Sequence, residues 1–362
     1  MLNKNIKVPF LDLRISDKKE RLELLSAMES VFDHGCFILG PEVLALERKV
    51  AVYCGCKYAI GVSSGTDALF ISLKSLGIGS GDEVITTSLS WIATANAIVL
   101  TGAEPVFADI KDDLNIDPNS VHKLISSKTK AILPVHYTGK VCNMVDIMKI
   151  ADEHGLAVIE DAAQSFGATL NNKMAGSFGN VGCFSMNPMK VFAACGEAGM
   201  VVTDNFDTYN RLLSLRYNGM IKKEICIEPS HNARLDTLQA AILLKRLKYL
   251  NGIIERRSAI AKFYDDRLRN TVIVPIEQDS EYDVYYTYTI QVENRKELTK
   301  HLDMHGIETK IHHPILMPNQ PSYENSRCGN IVNSKRLVER ILCIPANEKM
   351  TDEDIHYVSD CI

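Results

Sequence analysis

Between residues 43 and 205 short apolar runs alternate with helical segments, and this alternation narrows the possible folds more than any other feature of the chain. Tyr58-Ala-Ile-Gly-Val-Ser, Glu83-Val-Ile-Thr-Thr, Pro105-Val-Phe-Ala-Asp, Ala131-Ile-Leu-Pro-Val and Ala157-Val-Ile-Glu-Asp are mainly apolar stretches of strand length. They lack the polar alternation of a half-exposed strand, so they read as strands buried on both faces. Segments of helical composition over 42–53, 65–76, 93–101 and 147–154 stand before and between them. A βα alternation of this kind predicts an α/β fold with a mainly parallel sheet covered by helices on both sides.

After Asp204 the texture changes. Residues 235–260 are Leu/Ala-rich and read as one long helix bridging two units, and 284–292, Val-Tyr-Tyr-Thr-Tyr-Thr-Ile-Gln-Val, reads as a strand. The expected division is a large α/β domain over 1–250 and a smaller α+β domain over 251–362, which suits a chain of 362 residues. A formal net charge of -5 gives no basic field for a nucleic acid. The N-terminus has no apolar signal core and no apolar stretch reaches 18 residues, so neither export nor a membrane span is expected and the cytoplasm is the expected location. In that setting the 10 cysteines are expected to be reduced and buried. Cys54 and Cys56 form a CxC pair without convincing further ligands, so no metal is expected there.

Three segments carry chemistry. Ser63-Ser-Gly-Thr-Asp-Ala-Leu joins a strand to a helix, and Ser64, Gly65 and Thr66 there offer hydroxyls, close backbone approach and free amides. That is a seat for a phosphate, or simply a Ser-rich helix cap. Asp161 closes the strand 157–161, at the carboxyl end where open α/β sheets bind ligands. A carboxylate there can pair with a pyridinium nitrogen, or cap the next turn. Lys190 ends Gly182-Cys-Phe-Ser-Met-Asn-Pro-Met-Lys, a turn-prone stretch flanked by apolar residues and then by glycines. A lysine so placed can be desolvated into a nucleophile, although most lysines are surface residues.

The order of these segments resembles the fold type I enzymes that use pyridoxal 5′-phosphate (PLP), and more narrowly the DegT/DnrJ/StrS-type sugar aminotransferases. The resemblance runs from Val8-Pro-Phe-Leu-Asp-Leu and Gly35-Cys-Phe-Ile-Leu-Gly-Pro, through Gly61-Val-Ser-Ser-Gly-Thr-Asp-Ala-Leu and Ile92-Ala-Thr-Ala-Asn-Ala-Ile, to Glu160-Asp-Ala-Ala-Gln-Ser-Phe-Gly-Ala, the Lys190 segment and Asn232-Ala-Arg-Leu-Asp-Thr-Leu-Gln. It implies that Lys190 carries PLP as a Schiff base and shuttles protons, that Asp161 pairs with the pyridine nitrogen, and that Gln164 sits beside the phenolic oxygen. It implies that Trp91 lies against the pyridine face and that Ser64, Gly65, Thr66 and Ser185 hold the phosphate. It further implies a homodimer with shared active sites, Asn232 reaching the phosphate of the neighbouring subunit. Taken on its own, Asn232 reads as a helix N-cap. Phe37 and Leu39 are expected near the substrate entrance, and one of His312 and His313 is expected on the substrate.

The resemblance also implies the reaction: an amino group moves, by a ping-pong route, from L-glutamate to carbon 3 or 4 of a keto sugar linked to a nucleotide, for amino-sugar or surface-polysaccharide synthesis. Relatives that dehydrate sugars carry histidine in place of the lysine, so Lys190 favours amine transfer over that alternative. A non-nucleotide keto sugar is the other acceptor. Three departures are expected to touch the pocket: Ala198, where glycine is common, Met186-Asn-Pro-Met, where the family version is more aromatic, and Lys140, where Gln or Arg is common.

Overall fold

The computed structural model describes residues 6–222 and 224–362. Its centre is a seven-stranded sheet. In chain order the strands are β1 (Tyr58–Val62), β2 (Glu83–Thr87), β3 (Glu104–Ala108), β4 (Thr129–Leu133), β5 (Ala157–Asp161), β6 (Val181–Ser185) and β7 (Gly199–Thr203). Across the sheet the order is β1-β7-β6-β5-β4-β2-β3. Strand β7 runs antiparallel to both its neighbours and the remaining pairs are parallel.

Successive strand residues point to opposite faces and both faces are covered, which is why the central residues of these strands are apolar. Ile85, Ile132, Val158 and Val202 face one core cluster, and their neighbours Val84, Ala131, Ile159 and Val201 face the other. Helices α1 (Lys18–His34), α2 (Pro41–Cys54), α3 (Gly65–Ser75), α4 (Ala93–Leu100), α5 (Pro118–Leu124), α6 (Met144–His154) and α7 (Phe206–Arg216) surround the sheet. The first face is covered by α2, α5 and α6 and the second by α3, α4 and α7.

The expected single helix over 235–260 is two, α8 (Thr237–Arg246) and α9 (Leu250–Leu268). The amides of Lys248 and Tyr249 bond back to the carbonyls of Lys245 and Arg246, three residues away, which tightens the last turn and stops the helix. The break lets α8 pack on the large sheet while Ile260, Tyr264 and Leu268 of α9 enter a separate core. That core also takes Tyr288 and Ile290 of β8 (Tyr288–Gln291), Leu342 and Ile344 of β9 (Ile341–Ile344), Ile355 near the C-terminus, and Val8 from the N-terminal segment. Strand β8 is shorter than the expected 284–292 because Tyr285 has φ +46°, outside the extended region.

All ten cysteines are free. Cys54, Cys142, Cys183 and Cys343 are buried as expected, but Cys36, Cys195, Cys226 and Cys328 are exposed. Cys54 belongs to the apolar core beneath β5. Ala198 fits its turn without strain: it is fully buried and its carbonyl accepts the Met186 amide at 2.8 Å.

Candidate active site

Strand β5 delivers Asp161 to the carboxyl edge of the sheet, beside a rigid anchor. Glu160, the preceding residue, is fully buried and accepts the amides of Gly176 (2.8 Å), Phe178 (2.6 Å) and Gly179 (2.7 Å), with His136 Nε2 at 2.8 Å. The end of β5 is therefore fixed, and Asp161, on the opposite face, points at a cavity of about 820 Å³. Its Oδ2 accepts from Thr94 Oγ1 at 2.8 Å and its Oδ1 from the Ala163 amide at 3.2 Å. Burial pushes its carboxyl up, against the lowering effect of those two hydrogen bonds and of Lys190 and His136. A buried carboxylate is costly unless a cation partners it.

Helix α3 begins at the same cavity. Ser64 is its N-cap: Oγ accepts the Asp67 amide at 3.0 Å and donates to Asp67 Oδ2 at 2.8 Å. The cap reading of Ser64 therefore holds, and its hydroxyl proton is committed to Asp67. The amides of Gly65 and Thr66 open the helix, where no helical carbonyl can reach them. A Cβ on Gly65 would lie 2.6 Å from Cβ of Ser185, so only glycine brings the α3 start against β6. Ser64, Gly65, Thr66 and Ser185 line the cavity together.

Lys190 stands opposite, at the end of the turn that follows β6. Its amide bonds to the Asn187 carbonyl at 2.9 Å, and its Nζ lies 4.3 Å from the centre of the Tyr286 ring. Gln164 Oε1 accepts the amide of Thr138 at 2.9 Å. Trp91 lines the cavity with 62% of its surface exposed, a flat face open to a ligand, and its ring lies 5.8 Å from that of His313. His312 Nε2 and His313 Nδ1 are buried without a hydrogen-bond partner. Burial, with help from His313, Lys190 and Lys310, pushes His312 down to about 2, and burial and Lys190 push His313 down to about 3. Both rings are therefore neutral, and both residues line the cavity.

These residues fit a pyridoxal phosphate: a cradle that admits no Cβ, a buried carboxylate, an amine and an open aromatic face share one cavity. Asn232, Phe37, Leu39 and Lys140 lie elsewhere. Asn232 does not line the cavity; it is exposed, bridges Tyr217 in extended backbone, and its Oδ1 accepts from Arg234 Nε at 2.8 Å. It caps no helix, because α8 starts at Thr237 with Asp236 as its N-cap. Phe37 and Leu39 are exposed on the loop before α2 and do not line the cavity. Lys140 does not line it either; its Nζ is buried against Glu281, Asp283 and the Ile276 carbonyl.

Sequence reading missed Thr94, Tyr286 and Lys310, which line the cavity. Thr94 belongs to Ile92-Ala-Thr-Ala, and its place three residues after Trp91 is the one signal that marked it. Nothing local marks Tyr286.

The model of the DegT/DnrJ/EryC1/StrS aminotransferase family matches residues 18–362. The chain is 38% identical over 357 residues, covering 98% of each chain, to dTDP-3-amino-3,6-dideoxy-alpha-D-galactopyranose transaminase of Aneurinibacillus thermoaerophilus. It is 36% identical, over 98% of its length and 97% of the relative's, to a pleiotropic regulatory protein of Geobacillus stearothermophilus. Among solved structures it superposes with a TM-score of 0.91 on NtdA from Bacillus subtilis with bound cofactor PMP, at 32% identity over 99% of this chain and 85% of that one.

Proposed function

The chain belongs to the DegT/DnrJ/EryC1/StrS aminotransferase family, and from that premise we propose that it moves an amino group from L-glutamate to a keto sugar carried on a nucleotide. It is a PLP-dependent sugar aminotransferase. The nucleotide carrier follows the dTDP-sugar transaminase it resembles, and carbon 3 is the favoured position of amination. The observation that carries the reading is that Lys190 and Asp161 line one cavity with the Gly65 cradle. A regulatory protein on this fold has no need of that set, and the likeness to a pleiotropic regulatory protein does not remove it.

When bound, PLP supplies the electron sink that makes the amine-bearing carbon acidic. Asp161 in its ionised form would hold the ring nitrogen protonated, and Thr94 and the Ala163 amide keep the carboxylate oriented. The Gly65 and Thr66 amides and the Ser185 hydroxyl would hold the phosphate at the positive end of α3. Trp91 would offer its ring to the pyridine face, and Gln164, its Oε1 held by the Thr138 amide, would serve the phenolic oxygen. Lys190 Nζ would take a proton from the donor carbon in the first half-reaction and give one to the sugar carbon in the second. Neutral His312 and His313 hydrogen-bond the sugar and do not compete for that proton.

We propose that the enzyme works in the cytoplasm as a homodimer, in which Asn232 of the second subunit completes the phosphate site and the 35–40 loop borders the substrate entrance. Exposed Leu22, Leu25, Phe32, Phe37 and Leu44 on α1, α2 and that loop supply an apolar face for the second copy. The large and small units divide near residue 250, supported by the separate core around α9 and β8.

The test is a panel of nucleotide-linked keto sugars with L-glutamate, read as 2-oxoglutarate formed and amino sugar by mass spectrometry. Transfer to one of them is expected. Failure with all, alongside transfer to an unlinked keto sugar or a free keto acid, overturns the nucleotide-sugar reading.

A further inference from the structure

Behind the cavity lies a buried ion cluster that the proposed chemistry leaves unused. Lys140 Nζ contacts Glu281 Oε2, lies 3.7 Å from Asp283 Oδ2, and donates to the Ile276 carbonyl at 3.0 Å. All three side chains are at most 10% exposed. Taking a lysine and two carboxylates out of water is costly unless their geometry is held, so the cluster pins the 276–283 segment to the turn that carries Lys140. The next residues are stitched to the same turn: the Val284 amide donates to the Gly139 carbonyl at 3.1 Å and the Thr287 amide to the Thr138 carbonyl at 3.3 Å. A Cβ on Gly139 would sit 2.8 Å from the Tyr286 amide nitrogen. Tyr285 at φ +46° is a strained conformation that persists only where surroundings enforce it. That kink turns the Tyr286 ring toward Lys190, with Nζ 4.3 Å from its centre.

We infer that Lys140 is a positioning residue for Lys190: its ion cluster clamps the 276–287 strap and so holds the Tyr286 ring against the Lys190 amine. The ring's electron-rich face favours a cationic nitrogen at Lys190. The inference rests on the reading of Lys190 as the residue that binds PLP.

The test uses purified holoenzyme and the pH midpoint of its PLP absorbance band, a readout independent of turnover. Tyr286→Leu is expected to lower the midpoint by about 0.5–1 pH unit, as loss of a cation–π contact predicts. Tyr286→Phe is expected to leave it near that of the wild type. Lys140→Met is expected to lower the midpoint too, although deleting a nearby positive charge would by itself raise it. The direction therefore separates positioning from simple electrostatics. Lys140→Arg is expected to restore the wild-type midpoint, and adding Lys140→Met to Tyr286→Leu to cause no further fall. Hydrogen exchange at the Val284 and Thr287 amides is expected to quicken in Lys140→Met. If that variant fails to fold, Glu281→Gln loosens the same clamp and is read as a midpoint fall smaller on Tyr286→Leu than on the wild type, because the loss of its negative charge lowers the midpoint equally in both. A midpoint unchanged or raised in the clamp variants, or unchanged in Tyr286→Leu, overturns the inference. A wild-type protein with no PLP band overturns instead the reading on which it rests.

Discussion

Thr94 Oγ1 lies 2.8 Å from Asp161 Oδ2 and donates its proton to that carboxylate, so the first turn of α4 supports the residue at the end of β5. Burial pushes the Asp161 carboxyl up and Thr94 opposes that push. Thr94→Val removes the opposition, so Asp161 stays protonated to higher pH. The acid limb of the amine-transfer rate is expected to move to higher pH, with about a tenfold loss at neutral pH, the scale of one hydrogen bond to a charged group. Asp161→Asn removes the charge altogether and is expected to cost about 10–1,000-fold, because a neighbouring opposite charge shifts a protonation equilibrium by about 1–3 pH units. Stopped-flow absorbance of the glutamate half-reaction across pH measures both. A Thr94→Val profile that overlays the wild type would refute the support role.

Gly65→Ala tests the phosphate cradle. The added methyl meets Ser185 Cβ at 2.6 Å and Ser185 Cα at 3.1 Å, so either α3 or β6 must shift. Overpacking of this kind is expected to cost about 1–3 kcal/mol of stability. Because the shift falls on the helix start itself, PLP affinity is expected to fall by about 10–100-fold, one to two hydrogen bonds' worth. Absorbance titration of the apoprotein with PLP, beside a thermal melt, reads both. Unchanged affinity with lowered stability would leave Gly65 a packing residue and move the phosphate seat elsewhere.

Asp283 makes stability depend on pH. Burial, with Glu277 and Glu281, pushes its carboxyl up to about 7, and Lys140 opposes them. The folded chain therefore holds this proton more tightly than the unfolded chain does, whose ordinary value is 3.8. The resulting stabilisation is complete below about pH 4 and is lost as pH rises through about 7. Between pH 5 and 8 the loss from this group is about 2–3 kcal/mol by linkage. Urea unfolding at steps across that range is expected to show the decline in the wild type and a flatter profile in Asp283→Asn. Equal slopes in the two proteins would show that the carboxyl titrates at its ordinary pH.

The strands were legible because burial on both faces fills their central positions with apolar residues, as at Val84 and Ile85 of β2, Ala131, Ile132 and Leu133 of β4, and Val158 and Ile159 of β5. Gly65, Asp161 and Lys190 were legible because each closes or follows such a strand, where a short motif fixes the backbone. The break between α8 and α9 was not: helical composition continues through Leu247, and only the two cores on either side, one under the sheet and one around Tyr264, require the chain to turn. Tyr286 was hidden for a related reason. Its sequence reads as strand, and the kink at Tyr285 that aims it at Lys190 depends on Gly139, more than a hundred residues earlier. Lys140 drew notice only as a departure near the pocket, and its partners Glu281 and Asp283 come from the far end of the chain.

Asn232 decides whether the site is shared between subunits. In the single chain it is exposed, lies outside the cavity that Lys190 lines, and among the described side chains is hydrogen-bonded to Arg234. A role on the phosphate therefore requires a second copy. Lys190→Ala protein and Asn232→Ala protein each lack one part of every site. Mixed and allowed to exchange subunits, half of the dimers are hybrids, and each hybrid holds one site with both residues intact, so about a quarter of wild-type activity is expected. Native mass spectrometry establishes the exchange and a coupled assay for 2-oxoglutarate reads the activity. Hybrids that form and stay as inactive as the parents would confine the site to one chain and leave Asn232 a surface residue.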